Sequence, residues 1–176
     1  MSVSTHADSA KADTYREMAR RYIEEVWDKN NVETEEELLA VDWTDHMPLP
    51  GCANGRAGHR QAVQLMHDMA PDMRFYLNEI VIEGDLVIDR WTAHGTFTGK
   101  PMYGFPPTGK KWTMTGLDLH RVRDGKFVDL WHEESTAALV EQLGMAPEPG
   151  TGGLGIIKLT ARNVLHVAKY KMRGGR

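Results

Sequence analysis

The chain is expected to fold as an α+β domain in which helices come first, a meander of about four mainly antiparallel strands follows, and a short helix closes the order. Three observations predict this. Before about position 70, apolar residues recur at three- and four-residue intervals; from Met73 onward the period changes to two. Two turn dipeptides, Gly84-Asp85 and Asp124-Gly125, interrupt the alternating part, and Gly and Asx are the residues that best tolerate the positive φ of tight hairpins. No helix is placed between successive strands, which argues against βαβ units. A curved sheet wrapped on helices makes a cone, whose apolar interior, reached through one open end, is the natural ligand site.

Thr14 to Asn30 is read as an amphipathic helix, with Tyr15, Met18, Ala19, Tyr22, Ile23, Val26 and Trp27 on one face and Asp13 or Thr14 as its cap. Glu33 to Ala40 begins with acids that suit the positive end of a helix dipole. Val41 to Pro50 is left without an element and ends in prolines. Gly58 to Met69 is a third helix burying Val63 and Met66, stopped by Pro71-Asp72. The first hairpin runs from Phe75 to Phe97 and sets Glu79 opposite Arg90. The segment GKPMYGFPPTGKK that follows is too rich in proline and glycine for a strand and is expected to form a lip over a cavity. Ser135 caps a last short helix that Gly144 ends. The chain therefore divides into a flexible N-terminus (1–13), one folded domain (14–146) and a basic C-terminal extension (147–176). Within the extension, Ile156 to Lys171 forms a helix with Ile157, Val164, Leu165 and Ala168 on an apolar side, expected to pack across a subunit interface.

Composition narrows the function. At 176 residues with 41% hydrophobic and 26% charged residues, the chain suits one globular core. Its net charge of −4 divides into +5 from Gly144 onward and −9 before it. An acidic body argues against nucleic-acid binding. There is no apolar run long enough to cross a membrane and no secretory signal pattern, so a cytoplasmic location is expected. The single cysteine, Cys52, has no CxxC partner, and the histidines show no HExxH or HxxxH spacing, so neither a metal nor a cofactor is expected.

Asp118, set between two leucines in mid-strand, is the candidate on which function turns. With a two-residue turn at Asp124-Gly125, the pairing runs Arg123/Lys126, Val122/Phe127, His120/Asp129 and Asp118/Trp131. Asp118 would then lie beside the Trp131 indole, and burial against it would raise its pKa towards the range useful for a general acid/base. The structural alternative is a pairing of Asp118 with Arg121 or Arg90. His46 is the second candidate, orienting a substrate carbonyl, or else a loop histidine capping the backbone. His120 shares the face of Asp118, with Asp129 as its expected neighbour. Trp27, Met66, Phe105 and Trp131 are candidates to line a pocket, although each also reads as core. His94 and His132 have no facing that the pattern decides.

The series DWTDHMPLPG, MAPDMRF, VIDRWTAHGTFTG and GFPPTGKKWTMTGLDLHRVRDGKFVDLWHE resembles the SnoaL-like polyketide cyclases and their ester-cyclase relatives, within the nuclear-transport-factor-2-like superfamily, over roughly Thr14 to Gly144. The resemblance implies a cone-shaped α+β barrel, a homodimer or homotetramer, and a small carbonyl-rich substrate of secondary metabolism. It also implies an intramolecular aldol condensation without metal or organic cofactor, and it maps the catalytic Asp onto Asp118. Where many relatives read GTHTG this chain reads GTFTG, with Phe97 in place of the histidine. Two other expectations stand beside the cyclase or isomerase: a non-catalytic binding or assembly module, and a hydratase, dehydratase or hydrolase in which Asp118 activates water.

Overall fold

The structure, a computed structural model, describes residues 4–175. The first three residues of the segment expected to be flexible, and Arg176, lie outside the described residues. Helix α1 spans Ser4–Arg21 and continues into a π-helical turn, Tyr22–Trp27. The helix thus starts upstream of the expected Asp13/Thr14 cap. It is followed by α2 (Val32–Leu38), β1 (Leu39–Asp45), α3 (Arg56–Met69), β2 (Arg74–Glu83), β3 (Leu86–Thr96), β4 (Lys111–Arg123), β5 (Lys126–Glu134), α4 (Thr136–Gln142) and α5 (Gly153–Met172). This is the predicted α+β order with one strand more than expected.

The additional strand is β1. Its strictly local pattern is poor, with Ala40 buried and Val41 and Asp42 exposed, and it is held by parallel pairing with β5 rather than by a hairpin. Strand order is β1-β5-β4-β3-β2, so the sheet is mixed and is not closed into the barrel that the resemblance implied.

Packing groups the residues into two compact units: Met1–Gln64, Arg74–Ala93 and Thr115–Glu134 form one, and Leu65–Met73, His94–Met114 and Ser135–Arg176 the other. In the first unit the apolar stripe Met18, Ala19, Tyr22, Ile23 and Val26 is buried, as its spacing requires. Asn31 caps α2, its side-chain oxygen accepting from the backbone N–H groups of Glu33 and Thr34. The second unit buries Met69, Met73, Phe97, Trp112, Leu139 and Leu143. Within that unit α5 contributes no buried residue and turns Ile157, Val164 and Leu165 outward.

The β4–β5 hairpin decides which side chains meet at the site. Asp124 and Gly125 take φ of 51° and 74°, as a two-residue turn needs, and Arg123 faces Lys126 and Val122 faces Phe127 as expected. Beyond that point the expected register fails. A bulge at Val128 pairs Arg121 with Asp129, so that His120 faces Leu130, Leu119 faces Trp131, and Asp118 faces His132. The physical reason is polarity. Unbroken alternation would have turned Asp129 into the core and Leu130 out of it. The extra residue buries Leu130 and leaves Asp129 at the surface, where His46 and Arg121 reach it.

Gly116 is the other local requirement. A Cβ there would lie 2.3 Å from Cζ2 of Trp91, so the indole occupies the space a side chain would take, one pleat from Asp118. Gly116→Ala is therefore expected to push Trp91 out of place at a cost of about 1–3 kcal/mol. A chemical-denaturation midpoint together with the shift of tryptophan emission checks this; an unchanged midpoint and spectrum would show that the indole has room to spare.

Candidate active site

The site lies in the first unit, where β3 and β4 aim polar residues off one face of the sheet. β4 alternates so that Gly116, Asp118, His120 and Val122 are buried while Leu117 is exposed, and β3 buries Val87, Asp89, Trp91 and Ala93 in the same way. Asp118 is 4% exposed and Asp89 and His120 are fully buried. One ligand atom from each of the three lies within 4.8 Å of those of the others. His120 Nε2 stands 3.2 Å from Asp89 Oδ2, an ion-pair distance, but the two groups are not aligned as a hydrogen bond, and both Asp89 oxygens lack one.

Burial dominates the titration of all three. It pushes the Asp118 carboxyl up to about 7, and the neighbouring Asp89 charge adds to this; His120, a hydrogen bond from Trp91 and His132 pull the other way. Burial raises Asp89 to about 8. It lowers His120 to about 4, so the ring is neutral near pH 7. Two carboxyl groups this close cannot both ionise at little cost, and the pair holds at least one proton at neutral pH.

The surroundings are ordered by further pairs. His132, opposite Asp118, is held by Asp45 at 3.2 Å and Glu134 at 3.0 Å. Burial alone would lower its pKa, but hydrogen bonds to those two carboxylates outweigh it and raise it to about 10, placing an imidazolium beside the site. Behind His120 stands Tyr22, its ring edge-on at a 4.9 Å centroid distance. Tyr22 Oη lies 2.8 Å from His59 Nε2, His59 Nδ1 lies 2.9 Å from Glu35 Oε1, and Arg60 Nε donates to Glu35 Oε2 at 2.6 Å. For Glu35, burial would raise the pKa, and the hydrogen bonds from His59 and Arg60 lower it on balance. An ionised Glu35 only accepts, which assigns a proton to His59 Nδ1 in that bond.

Of the residues expected from sequence, Asp118 and His120 come together, though with Leu130 rather than Asp129 opposite His120. The indole against Asp118 is Trp91, not Trp131. Trp27 stands one layer behind, its side chain hydrogen-bonded to Tyr22 and its ring 5.2 Å from His59. His46 is not brought to Asp118. Its ring stacks on Trp131 at 4.2 Å and its Nε2 contacts Asp129 at 2.9 Å, on the opposite face of the sheet. Met66 and Phe105 belong to the second unit, where Met66 is buried and the Phe105 ring lies 5.8 Å from His166. Neither Arg121 nor Arg90 pairs with Asp118; they engage Asp85 at 2.9 Å and Glu79 at 3.1 Å.

A groove of about 320 Å³ runs over the opposite face of the sheet, walled by Ile88, Leu117, Leu119, Trp131 and Glu133 with Met47, and Asp118 and His132 border it from positions whose side chains turn to the other face. Two chemistries suit the cluster: exchange of a proton between the paired carboxyl groups and a ligand, or coordination of a cation by Asp89, Asp118 and His120. Short linear spacings such as HExxH do not reveal this trio, because it is assembled from two strands. No motif in the sequence marks Asp89, Glu35 or His59 as site residues, and Tyr22 reads there only as part of the apolar face of the first helix. For Asp89 a signal exists: it is the one charged residue at the inward positions of β3, among Val87, Trp91, Ala93 and Gly95.

The family model for the SnoaL-like polyketide cyclases matches residues 17–143, and the chain belongs to this family. No curated protein sequence matches it. Among solved structures it is similar to TsrD from Streptomyces laurentii (22% identity, 76% of this chain and 97% of that one, TM-score 0.68). It is similar too to IdmH, a candidate polyketide cyclase from Streptomyces antibioticus (33% identity, 74% and 98%, TM-score 0.65). A third is AclR from Streptomyces galilaeus (21% identity, 88% and 97%, TM-score 0.66).

The raised carboxyl pKa values have a consequence for stability. A group whose folded-state pKa lies above its unfolded value binds the extra proton in the fold, so stability falls as pH rises from about 4 to about 8, at up to about 1.4 kcal/mol per pH unit per group. Asp89→Asn removes the share of that dependence that belongs to Asp89. Urea midpoints measured at about pH 5 and about pH 8 should show the variant gaining on the parent as pH rises; a gain that shrinks would mean that Asp89 is charged and stabilised in the fold.

Proposed function

We propose that the protein is a cofactor-independent cyclase or isomerase acting on a carbonyl-rich, polyketide-like small molecule, with Asp118 as general acid/base in an intramolecular aldol-type ring closure. The observation that carries this reading is a carboxyl group at mid-strand, buried without an arginine partner and poised to gain or lose a proton near pH 7. Ionised Asp118 takes a proton from a carbon flanked by carbonyls, and the electron pair left behind is spread over the enolate. The enolate carbon attacks a second carbonyl of the same molecule; the new C–C bond leaves an alkoxide, which takes a proton back, so the enzyme ends as it began. Protonated Asp89 is placed to share that proton, and the His132 imidazolium favours negative charge developing nearby. The chain is further proposed to act as a cytoplasmic homodimer or homotetramer. The exposed apolar side of α5 would pack on another copy, its +5 tail segment facing the acidic remainder.

Asp118→Asn is expected to lower kcat/KM by about 10²–10⁴-fold with the fold intact by circular dichroism. In the parent enzyme kcat/KM should rise with pH through about 7 and fall beyond about 8, the two limbs belonging to the Asp118/Asp89 pair. Turnover undiminished in Asp118→Asn would remove the mechanism. Exhaustive treatment with a chelator is expected to leave turnover unchanged; a loss restored by a divalent ion would turn Asp89, Asp118 and His120 into metal ligands instead.

A further inference from the structure

In the second unit, α5 is fastened mainly by polar contacts. Arg162 Nη2 and Asn163 Nδ2 both donate to the Gly144 carbonyl, at 3.1 and 3.0 Å, and His166 Nε2 lies 3.1 Å from the carbonyl of Pro107. Beside these contacts is a cleft of about 190 Å³ lined by Thr108, Lys110, Leu143, Arg162, Asn163 and His166. Its floor brings two cations together. Lys110 Nζ and Arg162 Nη2 each lie 3.0 Å from the point where a Cβ on Gly144 would stand, and so within about 6 Å of each other. Among the described residues no carboxylate lines the cleft. Like charges held this close repel, and the repulsion falls on the junction between the loop carrying Lys110 and the helix carrying Arg162.

We propose that this cleft binds a small dianionic oxyanion, a phosphate or the terminal phosphate of a phosphate monoester, and that the bound anion staples α5 to the rest of its unit. Two positive charges match a dianion. The donors belong to different groups (the Lys110 ammonium, the remaining N–H groups of Arg162, the Asn163 amide and the Thr108 hydroxyl), which suits a tetrahedral acceptor with several oxygens better than a carboxylate with two. A monoanion would leave one cation uncompensated. Because the anion bridges loop and helix, it binds the docked state of α5 and not the undocked one, so docking and binding are linked.

Amide hydrogen exchange of α5 in the full chain, with and without inorganic phosphate at an ionic strength held constant with chloride, tests the proposal. Protection should be saturable. At ten times the fitted Kd, exchange through undocking should slow about elevenfold. In Lys110→Gln, an exposed substitution that leaves the other amides unaltered, the saturable part should disappear. In Lys110→Glu the new carboxylate faces Arg162, so α5 should be protected without phosphate and should no longer respond to it. Phenyl phosphate run beside inorganic phosphate separates the sources: equal affinity assigns the free ion, and tighter binding of the ester assigns the phosphate end of a larger ligand. Absence of saturable protection, equal protection by acetate, or an undiminished response in Lys110→Gln would overturn the proposal.

Discussion

Two carboxyl groups withdrawn from water within reach of each other are the constraint around which the first unit is arranged. Burying either as an anion is costly, and the fold lowers that cost by letting the pair keep a proton, by a hydrogen bond from Trp91, and by an imidazolium opposite Asp118. The neutral His120 between them completes a site that is polar but carries little net charge. An arrangement of this kind is expensive as pure architecture, since apolar side chains of similar size would pack there without any penalty. Its retention is readily understood if the proton is used.

The supports of the site lie in different layers. The π-helical turn at the end of α1 carries both Tyr22 and Trp27, and a widened turn sets their polar atoms within hydrogen-bond reach of one another. Glu35 from α2 and His59 from α3 then fix the Tyr22 hydroxyl from behind, with Arg60 at the edge of the protein closing the series. Tyr22 is thereby held edge-on to His120, and His120 in turn stands against Asp89. Orientation of the reactive groups therefore depends on three helical segments as well as on two strands.

Much of the fold was legible in the sequence, and the limits of that legibility are physical. The α1 stripe, the turn at Asp124-Gly125, the proline-rich segment after β3 and the position of Asp118 all follow from local periods and turn chemistry. β1 escaped notice because LAVDWTD carries charge in mid-strand and is stabilised by a parallel neighbour far along the chain. The bulge escaped because KFVDLW alternates acceptably in either phase; only the energetic preference for burying Leu130 over Asp129 chooses between them. Asp89 is legible as a charge at an inward position of β3, but the turn at Asp124-Gly125 fixes only the neighbours of Asp118 on β5, and no tight turn ties β3 to β4. Glu35, His59 and Tyr22 each read as ordinary helix residues, and nothing short of packing shows that they form a chain of hydrogen bonds.

The single extra residue at Val128 reaches further than its own strand. It splits β5 into two segments of opposite phase, so that Phe127 and His132, an odd number of positions apart, share the site's side of the sheet. Any alignment threaded through this hairpin by counting outward from the turn assigns the wrong neighbour to Asp118 unless a one-position gap is opened at 128. Grafting the hairpin onto a scaffold that keeps Val128 but forces unbroken pairing would deliver Trp131 and Asp129 to the site's side of the sheet and send the imidazolium outdoors.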